Sequence, residues 1–232
     1  MINPNVNDVY GDVLHAFSFG QNTKPMLAIE TLFSALSPAG KPFELEMGAV
    51  FHLSPSREEA GIILLENGIC SICHSRNNLL ITSAFSPSIL GLIDGYSTYY
   101  EVPARPQHYL YGETHCRGKF VALDDFVSIA DEQNLWHDVA RILAHRMMVM
   151  SAREEEMVGV DSYLKVRTML IELGSYPEEY RLQIQVLSFI QRRTNISRSR
   201  VMAILSELRK GQYITIDNGK LTAIHQKLPA AF

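Results

Sequence analysis

Two kinds of side chain in this sequence have the types and spacing for chemistry, thiols and arginines. Cys70, Cys73 and Cys116 are its three thiols, and Cys70-Ser71-Ile72-Cys73 has the spacing of redox and metal-binding pairs. The surrounding run, Gly68 to His74, is β-prone, and residues three apart on a strand face opposite sides about 10 Å apart. A disulfide tolerates about 7 Å between Cα atoms, so a strand forbids this pair from closing. A zinc site would need a second matched pair, which Cys116 and the histidines at unhelpful spacing do not supply. Inert thiols are therefore expected, with one thiol sensing an outside partner as the alternative. His108, His115, His137 and His145 are scattered, and His137 and His145 lie two helical turns apart, too far to share a metal. There is no Gly-rich phosphate loop, Gly-x-Ser-x-Gly elbow or His-Glu-x-x-His, so neither an enzyme, a metal nor a cofactor is expected. The arginines are more telling. Between Phe189 and Lys227 stand Arg192, Arg193, Arg198, Arg200, Arg209, Lys210, Lys220 and Lys227 against Glu207 and Asp217, eight minus two or +6. The whole chain is −4, so the remainder sums to −10. Positive charge concentrated at one end of an acidic chain is the footprint of a polyanion reader.

The elements that must position those arginines follow from the pattern around them. Ser197 is a good N-cap and Gly211 a left-handed stop, which predicts a helix over about 198–210. Val201, Ile204, Leu205 and Leu208 make its apolar stripe, leaving Ser199, Met202, Ala203 and Ser206 outward. A preceding helix is expected over 177–193, with Tyr180, Ile184, Leu187 and Ile190 in period. Beyond the second helix, Tyr213–Ile216 and Leu221–Ile224 flank Asp217-Asn218-Gly219-Lys220, and Asn-Gly is a strong hairpin signal. Helix, turn, helix and hairpin make a winged helix-turn-helix. The competing reading is a solvated helical hairpin that happens to be basic. The DNA-contacting residues expected are Arg192, Arg193, Ser197, Arg198, Ser199, Arg200, Met202, Ala203 and, on the wing, Lys220, with arginine available for guanine and Met202 or Ala203 for a thymine methyl.

The pattern Ile196-Ser197-Arg198-x-x-Val201-x-x-Ile204-Leu205-x-x-Leu208 with Gly211-x-Tyr213-Ile214 resembles the winged-helix signature of the Crp/Fnr regulators. The similarity is greater to the branch known as inhibitors of hydrogen peroxide resistance (IprA type), through Ile89-Leu90-Gly91-Leu92-Ile93-Asp94-Gly95, Asn134-Leu135-Trp136, Gln191-Arg192-Arg193-Thr194 and Leu208-Arg209-Lys210-Gly211. The match is strong from about Ile89 onward and weak before it. The resemblance implies a bacterial transcription factor with an N-terminal β-barrel sensor fold, a dimerising helix, a DNA-binding domain and a role in oxidative stress. Cyclic-nucleotide binders of the family carry a Gly-Glu pair and a later arginine that clamp the phosphate and ribose. Here Leu92 follows Gly91, and the nearby loop arginine is Arg105 between Ala104 and Pro106. Without a charged partner a buried cyclic phosphate would be stranded, so cyclic-nucleotide control is not expected. The four-cysteine iron–sulfur pattern of other relatives is missing too.

The rest of the chain fits this frame. Its 232 residues, 47% hydrophobic and 20% charged, suit two modest domains. No run approaches the roughly 20 apolar residues of a membrane helix and the first residues do not resemble a signal peptide, so a cytoplasmic protein without a membrane partner is expected. Helices are expected over 8–17 and 25–35, then short β-prone runs at 43–53, 61–65, 69–73, 79–84, 98–102, 109–113 and 119–123, a barrel or jelly roll. Tyr96, Tyr99, Tyr100, Tyr109 and Tyr111 read as barrel core and surface, with a pocket lining as the alternative. A helix of about 28 residues, roughly 42 Å, is expected over 131–158. It carries two apolar stripes, which suggests packing on the barrel and on a second copy. The dimer residues expected are Trp136, Val139, Leu143, Met147, Met150 and Met157. A helix buried between two domains of a monomer is the competing reading.

The fold class expected is thus α+β: a cyclic-nucleotide-binding-like jelly-roll barrel over 1–126, a long dimerisation helix over 127–159 and a winged helix-turn-helix over 160–232. The expected partners are double-stranded DNA, a second copy of the chain and RNA polymerase, with the effector unassigned. An adaptor with a non-reading winged helix and a small-molecule or redox sensor remain the rival functions.

Overall fold

The computed structural model of the chain describes residues 15–231 and forms two compact units. One holds Pro25–Ala144; the other gathers the segment up to Lys24 with the chain from His145 onward.

Two helices come first, α1 (Ala16–Asn22) in the second of these units and α2 (Met26–Leu36) in the first. The helix expected over 8–17 lies almost wholly outside the described residues. Eight strands follow: β1 (Lys41–Leu45), β2 (Val50–His52), β3 (Gly61–Asn67), β4 (Ile69–His74), β5 (Leu80–Phe85), β6 (Ser88–Leu90), β7 (His108–Gly112) and β8 (Cys116–Ala122). They form two four-stranded antiparallel sheets, ordered β1-β8-β3-β6 and β2-β7-β4-β5. One apolar cluster, with Phe43, Leu45, Ile63, Leu65, Cys70, Leu110 and Cys116, draws on strands of both sheets. Alternation decides the other face of β3: Ile62 and Leu64 turn away from that cluster into a second one with Leu32, Leu36, Leu92 and Phe126. β3 is consequently an unbroken apolar run, Ile62 to Leu65, buried on both sides.

The run 98–102 is not the strand that its tyrosines and threonine suggested. It is the end of helix α3 (Leu92–Tyr99), which starts at Gly91, where φ is 87°. The Ser97 and Thr98 hydroxyls both donate to the Asp94 carbonyl at 2.9 Å, and Leu92 is wholly buried in the core shared with α2, so packing and local hydrogen bonding override β-propensity. The tyrosines pack among themselves: Tyr96 stacks on Tyr100 at 5.7 Å and meets the edge of Trp136 at 5.7 Å. Burial, with Tyr100 beside it, pushes the Tyr96 phenol up to about 12.

The long helix is shorter than its periodicity predicts. Helix α4 (Leu123–Glu132) ends at a left-handed Asn134, φ 56°, before α5 (Trp136–Met157) begins. The Leu135 N–H donates back to Ala130 at 2.9 Å and the Trp136 indole to Asp131 at 2.6 Å. The break turns Leu135, Val139 and Ile142 into the core with Phe126, which a continuous helix from Asp131 would not do.

In the other unit, α6 (Ser162–Gly174) is capped by Asp161, whose carboxylate accepts from the Leu164 N–H at 2.8 Å. The helix expected over 177–193 is two pieces, α7 (Glu178–Arg181) and α8 (Val186–Thr194). The chain between them is claimed by the wing: the Val186 N–H donates to the Gly219 carbonyl at 2.9 Å and Arg181 to the Thr222 carbonyl at 3.3 Å. The buried period therefore becomes Val186, Phe189, Ile190 and Arg193. Helix α9 (Arg198–Lys210) has the expected bounds and the expected buried stripe. β9 (Ile214–Asp217) and β10 (Lys220–Ile224) close the wing through Asn218 and Gly219, with φ of 48° and 79° as a primed turn requires.

Candidate nucleic-acid interface

Helix α9 is positioned from both ends. Before it, Asn195 is left-handed, φ 55°, and ends α8; then the Ser197 hydroxyl accepts from the Arg200 N–H at 3.4 Å. After it, Gly211 is not the left-handed residue, its φ being −74°; Gln212 is, at 57°. Glycine is needed for closeness instead, because a Cβ at Gly211 would lie 2.7 Å from the Tyr213 ring that packs over the helix end. Val201, Ile204, Leu205 and Leu208 anchor one face. Arg198, Ser199, Arg200, Met202 and Ala203 are all exposed on the other, together with Ser206. A helix whose first turns offer guanidinium, hydroxyl and short apolar groups, free of bulky neighbours, has the shape and donors that a major groove accepts.

Three expected contact residues behave differently from that set. Arg193 faces inward and does not belong to a DNA surface. Its guanidinium sits 3.6 Å from the Phe189 ring centroid, its Nε 3.5 Å from Glu172 Oε1, and its Nη2 donates to the Tyr176 hydroxyl at 3.3 Å. Glu172 also receives the Tyr176 O–H at 2.9 Å and lies 3.6 Å from Arg153 Nη1. Adjacent arginines at the end of a basic helix look alike in sequence; the signal that separates them is Arg193 falling three after Ile190 and four after Phe189, with Glu172 standing as an acid in the apolar run Met169–Leu173. Arg192 is half-buried, and Lys220 donates from Nζ to the Gln183 carbonyl at 2.6 Å, tying the wing to the loop before α8. With Arg193 matched internally, the module's outward balance falls from eight cations against two acids to seven against two, +5.

Residues 162–230 match a family model described as winged helix-turn-helix DNA binding. A protein of Escherichia coli (strain K12) named inhibitor of hydrogen peroxide resistance is 32% identical over 211 residues, spanning 90% of this chain and 98% of the relative. The chain belongs to the inhibitor of hydrogen peroxide resistance family. A member from Salmonella typhimurium is 29% identical over 210 residues, with the same two coverages, 90% and 98%. Among solved structures, a regulator of the Crp/Fnr family from Eubacterium rectale superposes with a TM-score of 0.69 at 13% identity over 89% of this chain and 96% of that one. The c-di-GMP responsive regulator CLP of Xanthomonas campestris gives 0.68 at 11% identity over 85% and 100%. At such identities these two likenesses establish the fold, the Crp/Fnr architecture of a β-sheet domain followed by a winged helix. Among the described residues, no helix is long and apolar enough to cross a membrane.

Within this family fold, the first unit brings together a cluster that reading the sequence had scattered. Asp94, on the first turn of α3, lies 3.0 Å from His108 Nδ1 and 3.4 Å from Arg105 Nη1, and Arg105 Nη2 donates to the Ser54 carbonyl. All three side chains are nearly buried. His74 lies beside them, its ring 5.0 Å from that of His108; burial, then His108, holds its imidazole below the ordinary value, with Asp94 pulling the other way. On a strand end of the same unit, Glu44, Glu46 and His115 place donor atoms within 4.8 Å of one another. Arg117 already serves that exposed group, with Nε 3.1 Å from His115 Nε2 and 3.8 Å from Glu44, which makes it an ion-pair cluster.

The dimer residues are split by the structure. Val139 is covered by its own core, and Trp136 and Leu143 pack against it. Met147 and Met150 are exposed, as is Met148, while Met157 is half-buried. The stripes overlap at the start of α5 because Trp136 packs on Phe126 and Tyr96 at once.

Proposed function

We propose that the chain is a homodimeric transcription regulator that reads a near-palindromic duplex site through α9, independently of cyclic nucleotides, and that its targets serve the response to peroxide. The observation that carries this reading is the exposed first half of α9, with Arg198 and Arg200 beside Ser199, Met202 and Ala203 above a fully buried stripe. One winged helix covers a single half-site and binds weakly at cellular salt, whereas a two-fold pair of recognition helices about 34 Å apart spans one turn of DNA. The exposed methionines of α5, Met147 and Met150, three apart, supply an adaptable apolar face for a second copy. In the barrel, Leu92 fills the position where an acid would be needed and Arg105 is engaged by Asp94 and Ser54, so neither half of a cyclic-phosphate clamp is available. The peroxide role rests on the name of the relatives. A contact with RNA polymerase, and action in the cytoplasm, belong to the same reading.

Selection of bound duplexes from a random pool tests it. The expected outcome is an inverted repeat, with affinity falling steeply as salt rises because phosphate contacts release counterions. Recovery of no shared sequence, or of single half-sites only, would overturn the dimeric reader. Sedimentation of Met147→Glu separates dimer from fold: a folded monomer is expected, since like charges would meet across the two-fold axis.

A further inference from the structure

Two of the three thiols meet inside the barrel, and they are not the pair whose spacing attracts notice. Cys70 lies on β4 and Cys116 opens β8, strands of different sheets. The chain ahead of Cys70 nevertheless runs directly against the chain leading to Cys116. The Ile69 N–H donates to the Thr114 hydroxyl at 2.9 Å, and the Ile69 carbonyl accepts from the Glu113 N–H at 3.0 Å, the Thr114 N–H at 3.2 Å and the Cys116 thiol at 3.2 Å. The backbones touch at Gly68, where a Cβ would lie 2.9 Å from Cys116 Cα and 3.0 Å from its sulfur. Cys70 and Cys116 are both buried in one apolar cluster. Cys73 packs elsewhere, with Leu80 and Tyr109. The Cys70–Cys73 spacing of a redox motif is thus carried on opposite faces of β4, and the partner comes from across the barrel.

We propose that Cys70 and Cys116 form a peroxide-reactive thiol pair, with Cys116 the attacking sulfur and Cys70 the resolving one, closing to a disulfide that joins the two sheets. The Cys116 sulfur attacks one oxygen of a hydroperoxide, the O–O bond breaks, and an alcohol, or water from hydrogen peroxide, departs with the thiol proton. The resulting sulfenic acid is attacked by Cys70: the S–S bond forms, the S–O bond breaks and a second molecule of water leaves with the Cys70 proton. Two thiols lose two electrons and two protons, and the hydroperoxide is reduced by the same two electrons. The roles follow from the environment. A hydrogen bond with Cys70, against burial, holds the Cys116 thiol below its ordinary value, helped by Thr114 and His115. The same hydrogen bond and burial push Cys70 up, leaving it the protonated partner of the first sulfur. The class of oxidant follows from exposure: Cys70 is 1% and Cys116 0% exposed, so a small uncharged oxidant reaches them and a charged, bulky disulfide such as oxidised glutathione does not. The inference is independent of DNA reading, because its readout is a covalent bond.

The test uses the reduced full-length chain exposed to hydrogen peroxide at increasing ratios, quenched in acid, alkylated after denaturation and mapped by peptide mass spectrometry. A Cys70–Cys116 cross-linked peptide is expected, reversed by dithiothreitol, with Cys73 still alkylated and all three thiols free after oxidised glutathione. Cys116→Ala and Cys70→Ala should each lose the cross-link and Cys73→Ala should keep it; the wild-type map alone decides if a variant fails to fold. A cross-link containing Cys73, thiols that stay reduced, or Cys116 passing to sulfinic acid without a bond to Cys70 would each overturn the pair.

Discussion

Two helix beginnings in this protein invite comparison, because both are places where a phosphate could approach. Helix α9 opens at Ser197 with Arg198, Ser199 and Arg200 exposed, and its apolar stripe starts only at Val201. Helix α3 opens at Gly91 with Leu92 buried at once and Asp94 in its first turn, bound to Arg105 and His108. Both helices have a positive dipole end, yet one leaves its guanidinium groups exposed and the other neutralises a neighbouring arginine with its own carboxylate. A helix N-terminus becomes a binding place only when the side chains of its first turn leave it open, and here the first turn of α3 belongs to the core.

That contrast can be broken most forcefully at the closed end. Leu92→Glu restores an acid to the barrel but buries a carboxylate among Leu32, Leu36 and Phe126, and should cost about 3 to 5 kcal/mol in urea unfolding without conferring cyclic AMP binding. Retained stability together with saturable nucleotide binding in calorimetry would mean that the barrel is not closed. Within the DNA-binding unit, Arg193→Ala should cost about 3 kcal/mol of stability, because Glu172 and Tyr176 lose a buried partner. Arg198→Ala removes the same charge five residues later and should leave unfolding unchanged while weakening specific DNA binding by about 1 to 3 kcal/mol and relaxing one base position in each half-site. Equal losses on specific and random DNA would assign Arg198 to phosphate. Ser197→Ala, which removes the cap of α9, should cost about 1 kcal/mol in thermal unfolding.

The smallest effect is one of pH. His74 is held below its ordinary 6.5, so the unfolded chain takes up the proton first. Its contribution is complete above that value and is lost as pH falls through it toward the folded value. His74→Gln should flatten the acid-side decline of stability, whereas an unchanged pH profile would show that His74 does not set that decline.

These outcomes also mark where reading the sequence succeeds. Helix α9, its buried stripe and the Asn218-Gly219 turn were legible because cap, period and turn chemistry all act within a few residues. Most strands of the barrel were legible as β-prone runs separated by turn residues. What stayed hidden depends on partners distant in the chain. Arg193 needed Glu172, Leu135 needed the core beneath Ala130, and Cys70 needed Cys116 rather than Cys73. Helix α3 was missed because Leu92–Tyr99 carries four β-prone aromatic and β-branched residues, Ile93, Tyr96, Thr98 and Tyr99, whose preference is overruled by burial of the helix in the core with β3.

One feature of the chain's division bears on the order in which it is made. Residues 15–24 pack with the unit that begins at His145: His15 Nδ1 lies 3.1 Å from Glu156, the Ala16 N–H donates to the same carboxylate at 2.9 Å, and Phe17 meets Tyr176 at 4.9 Å. On a ribosome these residues emerge before the whole of Pro25–Ala144 and their partners emerge after it. At roughly 5–20 residues per second the stretch Pro25–Ala144 takes on the order of ten seconds to make, and Glu156 and Tyr176 follow it by a few seconds more. Helix α1 spends that interval as a tether without its docking surface, and at 7 residues it is too short to persist as a helix alone. A segment synthesised before the barrel is therefore completed only after it.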